Sequence, residues 1–201
     1  MTQVPLKRTI LAAALLSLAA AAPLAVQAAG TADNTSGKTA NAGMAETKNT
    51  LSSDDKKFIE KASQGGMAEV QMGKLAQQKA QSAQVKQFGE RMAKDHASAN
   101  DKLTQIASQK GVAPASDMDS SAKREYDKLQ KLSGAEFDRE YMKTMVSDHE
   151  KDVKEFQSEA KSAKDPEVKN FAQSTLPTLE EHLKMAKQAE AAAKGEKTAS
   201  K

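Results

Sequence analysis

The sequence predicts an all-α protein built as a four-helix bundle, and three observations lead there. Four long segments place apolar residues at steps of three and four, so each presents one apolar stripe to a core. None of the chain carries the alternating pattern of a half-buried strand. With 5 Phe, 2 Tyr and no Trp in 201 residues, the core has to be assembled from Ala, Leu, Val and Met, which suits close-packed helices better than sheets.

Taken in order, the chain opens with a basic start at Lys7 and Arg8, an apolar run from Ile10 and small residues around Ala28. Residues 1–28 therefore read as an export signal. Residues 29–51 are Thr, Asn, Ser, Gly, Lys and Ala without periodicity, a composition that reads as a disordered linker. The bundle is expected over 52–190. Its first helix begins near Ser53, with Asp54 and Asp55 in the first turn, where the helix dipole favours acids. The inner line runs through Phe58, Ala62, Gly65 or Gly66, Glu69, Met72 or Gly73, and Ala76. Two adjacent glycines cost about 2 kcal/mol of helix propensity relative to alanine. Close approach of a neighbouring helix, or a local bulge beside Glu69, would account for them.

The second helix starts from Ser82 as N-cap and carries Val85, Phe88, Met92, His96, Ala99, Leu103 and Ile106 on one face. Gly111 ends it, Pro114 bars continuation, and Tyr126, Leu129 and Leu132 mark a short helix within a long connection to Ser133. Ser133 and Glu136 are spaced as a capping box for the third helix, whose inner line is Phe137, Tyr141, Met145, His149, Val153 and Phe156. The fourth starts at Asp165 with Pro166 in the first turn and turns Val168, Phe171, Leu176, Leu179, His182, Met185 and Ala189 inward, with a kink expected at Pro177. Residues 191–201 read as a flexible tail. Val85-Lys86-Gln87-Phe88 and Val168-Lys169-Asn170-Phe171 each begin three residues after a cap, a mild sign of two related hairpins.

Bulk charge narrows the function. Loss of the signal would leave 28 Lys and Arg against 27 Asp and Glu, nearly neutral, and there is no basic run with interleaved aromatics, so no nucleic-acid partner is expected. No segment beyond the signal has the apolar length of a transmembrane helix. The absence of cysteine excludes thiolate chemistry and tolerates an oxidising compartment, such as the periplasm or cell envelope. Neither a nucleophile with an adjacent base nor a phosphate-binding loop is present, which argues against an enzyme.

Each long helix contributes one ligand-capable residue to its inner face: Glu69, His96, His149 and His182. At 1.5 Å per residue, Glu69 and His96 lie about 18 and 22 Å from the first hairpin turn, and His149 and His182 about 23 and 27 Å from the second. One shared layer is therefore feasible. Imidazoles and a carboxylate converging in a bundle interior can bind a single transition-metal ion, Cu, Zn or Fe. The same residues could instead form a buried polar network with Tyr141 that sets helix register. Asp95, Asp148 and Glu181 each directly precede a histidine, so their side chains turn about 100° away and are expected at the rim, or as acceptors behind the histidines if a helix rotates slightly. Met72, Met92, Met145 and Met185 lie three or four residues from the four polar positions, as soft ligands suited to copper or as ordinary core filler.

Ala68-Glu69-Val70, Met92-Ala93-Lys94-Asp95-His96, Phe137-Asp138-Arg139-Glu140-Tyr141, Asp148-His149 and Leu176-Pro177 followed by His182-Leu183 together resemble the DUF4142 family of exported bacterial proteins. Members are often labelled outer membrane proteins, and the family is grouped with ferritin-like folds. The resemblance implies a ferritin-like four-helix bundle and leaves the activity open. Alternating lipid-facing strands, which a barrel needs, are absent. Di-iron bundles of that fold use Glu-x-x-His on two helices, but Ala93, Val146 and Leu179 stand three residues before the histidines, so a mononuclear site or none is expected. The long second connection predicts a crossover that makes the second and third long helices parallel. All four methionines would then fall on one side of the polar layer. The expected function is an exported soluble bundle serving metal handling or envelope stress, or else a non-catalytic structural or interaction module.

Overall fold

The computed structural model describes residues 51–199, with side chains to residue 195. The expected export signal, residues 29–50 of the expected linker, and residues 200 and 201 lie outside the described residues. Five helices follow one another: α1 (Ser53–Lys79), α2 (Ala83–Gln109), α3 (Ser120–Gln130), α4 (Gly134–Ser162) and α5 (Pro166–Ala199). There is no strand among the described residues. α1 packs on α2 and α4 on α5 through short turns, and the square is closed by α2 against α5 and α1 against α4.

Polar contacts at the two ends fix the helix directions. The carboxylate of Asp138, in the first turns of α4, accepts the backbone N–H groups of Gln81 and Ser82 in the α1–α2 turn at 3.0 and 2.8 Å. At the other end Asp55, in the first turn of α1, accepts N–H groups from Lys164 and Asp165 in the α4–α5 turn at 3.1 and 3.2 Å. Lys110, at the end of α2, reaches Asp165 at 2.9 Å there as well. α2 and α4 therefore run in the same direction, and residues 110–133 cross the full length of the bundle, with α3 laid over α1 and α4. This is the ferritin-like connectivity, in which one long crossover joins two antiparallel pairs.

The two carboxylate clasps are equivalent. The register that overlies Val85-Lys86-Gln87-Phe88 on Val168-Lys169-Asn170-Phe171 also overlies Asp55 on Asp138, and Glu69 on Asp152. Both Asp55 and Asp138 are buried. Each holds N–H groups that a helix start or turn would otherwise leave without partners.

Apolar packing falls into two clusters. One, toward the α1–α2 turn, contains Met72, Ala76, Phe88, Met92, Tyr141 and Met145, with the half-buried Met185 against it. The other, toward the α4–α5 turn, contains Phe58, Ile59, Leu103, Phe156, Phe171 and Leu179. Phe58 meets Phe156 edge-on with ring centroids 5.0 Å apart. The four methionines thus share one side, as the crossover requires.

Several local expectations need correction. The first cap is Ser52, in a capping box with Asp55, and Leu51 before it is buried, so order begins inside the expected linker. Ser133 precedes α4 but makes no cap bond. Gly134 follows it at φ 59°, a left-handed turn that carries the Ser133 side chain away from the N–H groups it would need to reach. α5 continues through Pro177 and past Ala191 to Ala199, with Ala193 buried, where a flexible tail was expected. Ala191 to Ala193 are the best helix formers available, and Gly195 alone does not stop the helix.

The glycines of α1 divide by role. A Cβ on Gly66 would collide with the Asn100 side chain, and one on Gly73 would lie 2.5 Å from the Gly89 carbonyl oxygen. These positions let α1 and α2 approach closely, and the helix stays α throughout without a bulge. Gly65 differs, since nothing lies within 4 Å of where its Cβ would be.

Candidate metal centre

Between the two apolar clusters lies one polar layer, with His96 from α2, His149 from α4 and His182 from α5. Their rings form a nearly regular triangle, with centroids 5.5, 5.4 and 5.4 Å apart. One ligand-capable nitrogen of each lies within 4.8 Å of one from each of the others. His149 and His182 are fully buried and His96 is nearly so.

Each imidazole is held from behind by one nitrogen. His96 Nδ1 lies 2.9 Å from Glu69 Oε2. His149 Nδ1–H donates to the Met145 carbonyl oxygen at 3.0 Å. His182 Nε2 lies 2.9 Å from Asp95 Oδ2. Carboxylates and carbonyls accept, so these three nitrogens carry the protons, and the lone pairs of neutral rings sit on the others. Those others are His96 Nε2, His149 Nε2 and His182 Nδ1, all buried and without a hydrogen-bond partner. A buried polar atom left this way is unfavourable by about 1–3 kcal/mol, and three in one layer ask for a common explanation.

Electrostatics sort the four groups. Burial pushes the Glu69 carboxyl up, but the positive charge that His96 and His149 can carry outweighs it and holds the group down at about 2. Burial opposes a charged His96, yet Glu69 wins and raises it above the ordinary histidine value. His149 and His182 go the other way, lowered chiefly by burial, His182 to about 4. Glu69 is therefore an anion beside one imidazole inclined to be charged and two kept neutral.

All four expected residues meet in this layer, but with distinct placements. Glu69 Oε1 is 3.3 Å from His149 Nδ1, and both Glu69 contacts are made to the nitrogens that face away from the unpartnered ones. Of the two places open to it, Asp95 takes that of an acceptor behind a histidine and joins the layer. It is half-buried, bonded to His182 and also to Arg91 Nε at 3.2 Å, because α5 packs against the flank of α2 and brings His182 within reach of it. Asp148 and Glu181 stay outside, paired with Lys151 and Arg91. Asp152 was missed. It lies one helical turn after His149, and Glu69, His149 and Asp152 form a second group with ligand atoms within 4.8 Å. The pairing of Glu69 with Asp152 in the repeat register was the signal that could have found it. Of the four methionines, Met185 turns its sulfur to Arg91 Nη1 at 3.3 Å.

An all-helical bundle with one long crossover and a buried polar layer at mid-height defines the class. The sequence matches DUF4142, a domain of unknown function, over residues 38–189, and the chain belongs to that family. A DUF305 fragment from Deinococcus radiodurans superposes with a TM-score of 0.63 at 13% identity, over 71% of this chain and 98% of the other. A DUF305 protein from Streptomyces coelicolor gives 0.60 at 15% identity, over 70% and 93%. At these identities the likeness is one of fold. No curated protein matches. No helix among the described residues is long and apolar enough to cross a membrane.

Proposed function

We propose that this protein binds one transition-metal ion per chain through His96 Nε2, His149 Nε2 and His182 Nδ1, and serves metal handling in the cell envelope. One observation carries the reading: three buried imidazoles each have one nitrogen fixed by an acceptor and the other free, and the rings face one another across about 5.4 Å. Histidine metal ligands characteristically donate their second N–H to a carboxylate or backbone carbonyl, which orients the ring and strengthens the donor. Glu69, Met145 and Asp95 occupy those outer positions. Glu69 is thus assigned an orienting role here rather than a place among the ligands. Three imidazole nitrogens, with His96 releasing its extra proton as the ion binds and a fourth position open, suit Zn, Cu, Fe or Ni. Thioethers from Met72, Met92 and Met145 are the groups nearest in kind for a softer ion, and they lie on one side of the layer. The export signal read from residues 1–28 supports an envelope location, and the Streptomyces coelicolor neighbour is described as a candidate secreted protein.

The test is direct titration of protein carrying no affinity tag with Co2+ and Zn2+. One ion per chain is expected, with a d–d spectrum for Co2+. His182→Ala and His149→Ala should each abolish stoichiometric binding while leaving the protein helical. At 100 times the dissociation constant the ion should add about 2.7 kcal/mol to stability. Unchanged binding in a variant lacking all three histidines, or no binding by the parent, would leave the layer as a buried polar network.

A further inference from the structure

The layer is closed on one side and approached on another. Between α2 and α5 the Arg91 guanidinium bridges Asp95 at 3.2 Å and Glu181 at 2.8 Å, an ion-paired strap across that flank. On the α1–α4 flank a cleft of about 490 Å³ opens beneath α3, lined by seven carboxylates and four lysines. Three of the lysines are engaged with carboxylates at its edge: Lys61 with Glu155, Lys128 with Glu140 and Lys151 with Asp148. Glu69 and Asp152 line the inner end of this cleft.

Three further features lie along the same line. Glu69 is only 4% exposed, and its Oε1 accepts no hydrogen bond, since the nearby His149 Nδ1 gives its proton to Met145. A smaller cavity of about 30 Å³, room for one or two waters, shares Gly65, Glu69 and Asp152 with the cleft and reaches His96. Gly65 has no packing neighbour that forbids a side chain, although glycine in a helix is unfavourable by about 1 kcal/mol relative to alanine. Its absent side chain keeps the junction between cleft and cavity open.

We infer that Glu69 and Asp152 form a second cation site, a loading station where a hydrated divalent cation is captured from the cleft before it passes to the three imidazoles. Two carboxylate oxygens with retained water suit a cation that has not yet shed its hydration shell. The nitrogens beyond are the stronger and softer donors. Glu69 links the two groups, because its second oxygen backs His96, and His149 belongs to both. This inference rests on the three-histidine reading above.

The experiment is stopped-flow loading of the full chain with Co2+, followed by release to excess chelator. Asp152→Asn should slow loading at least tenfold and slow release by the same factor, with stoichiometry and affinity unchanged, because a way station alters rates and not the end state. Gly65→Leu should slow both while keeping or raising thermal stability, since leucine is the better helix former; it also decides the matter if Asp152→Asn fails to fold. Co2+ bound by the parent with one ion per chain, but loaded at the parent rate in Gly65→Leu and in any folded Asp152→Asn, overturns the loading station and leaves the three-histidine site standing. A parent that takes up no Co2+ overturns both. Weaker equilibrium binding in Asp152→Asn would make Asp152 a ligand of the final site and also overturn the proposal.

Discussion

Glu159, in the last turn of α4 before the α4–α5 turn, is buried and faces Asp55, with Oε1 unpartnered. Burial and the Asp55 carboxylate lift its carboxyl to about 7. Asp55 itself is held below the ordinary value: burial raises it, but its bonds to Ser52 and to the Lys164 and Asp165 N–H groups outweigh that. The folded state therefore prefers Glu159 protonated more than the unfolded chain does. Its contribution is fully present below about pH 4.5 and is lost as pH rises through 7. Glu159→Gln keeps a donor toward Asp55 and removes the titration. It should match the parent near pH 4 and exceed it at pH 8 by about 1 kcal/mol, solvent screening reducing the full effect of the shift, as read from denaturant melts at the two pH values. The residues of the site were legible in part. Glu69 and the three histidines stood out because ligand-capable side chains occupied core positions of a helical pattern. Asp95 could be read only as a rim charge or an acceptor behind some histidine; that the histidine is His182 depends on how α5 lies against α2, and no spacing within one helix encodes that.

The helices themselves follow closely from the sequence. Starts at Ser53 and Pro166 fell where capping residues and proline placed them, because those signals act through the first few N–H groups of the same segment; α2 begins after Ser82 as expected, although that side chain makes no cap bond. Ser133 misled for the opposite reason: its spacing to Glu136 was right, and the left-handed Gly134 between them was invisible in the pattern. The glycines of α1 supply a sharper check at this scale. Gly73→Ala forces a methyl against the Gly89 carbonyl and should destabilise by about 1–3 kcal/mol despite alanine's higher helix propensity. Gly65→Ala meets nothing and should stabilise by roughly 0.5–1 kcal/mol. Thermal denaturation of the two single variants compares them directly, and equal signs would mean that α1 and α2 do not approach as closely as described.

Across the whole molecule, the length of the second connection foretold its path, since a plain hairpin needs only a few residues and this connection has enough to cross the bundle. The direction of α4 then put all four methionines on one side. What chain length does not disclose is how the halves recognise each other, and here the paired clasps of Asp55 and Asp138 matter. The Gln81 and Ser82 N–H groups of one turn and the Lys164 and Asp165 N–H groups of the other are accepted across the bundle, so each hairpin lends a carboxylate to the other. The two halves are thus reciprocal templates, as two copies of one ancestral hairpin meeting about a two-fold axis would be. A chain severed in the coil at Ala113–Ala115 should therefore reassemble by fragment complementation from pieces that are poorly ordered apart. Circular dichroism on mixing should show helix content rise above the sum of the separate spectra. Asp138→Ala in the second piece should weaken the association by ~2 kcal/mol, roughly thirtyfold in dissociation constant. If the separated hairpins prove fully helical and indifferent to that substitution, the clasp is only an ornament of the joined chain.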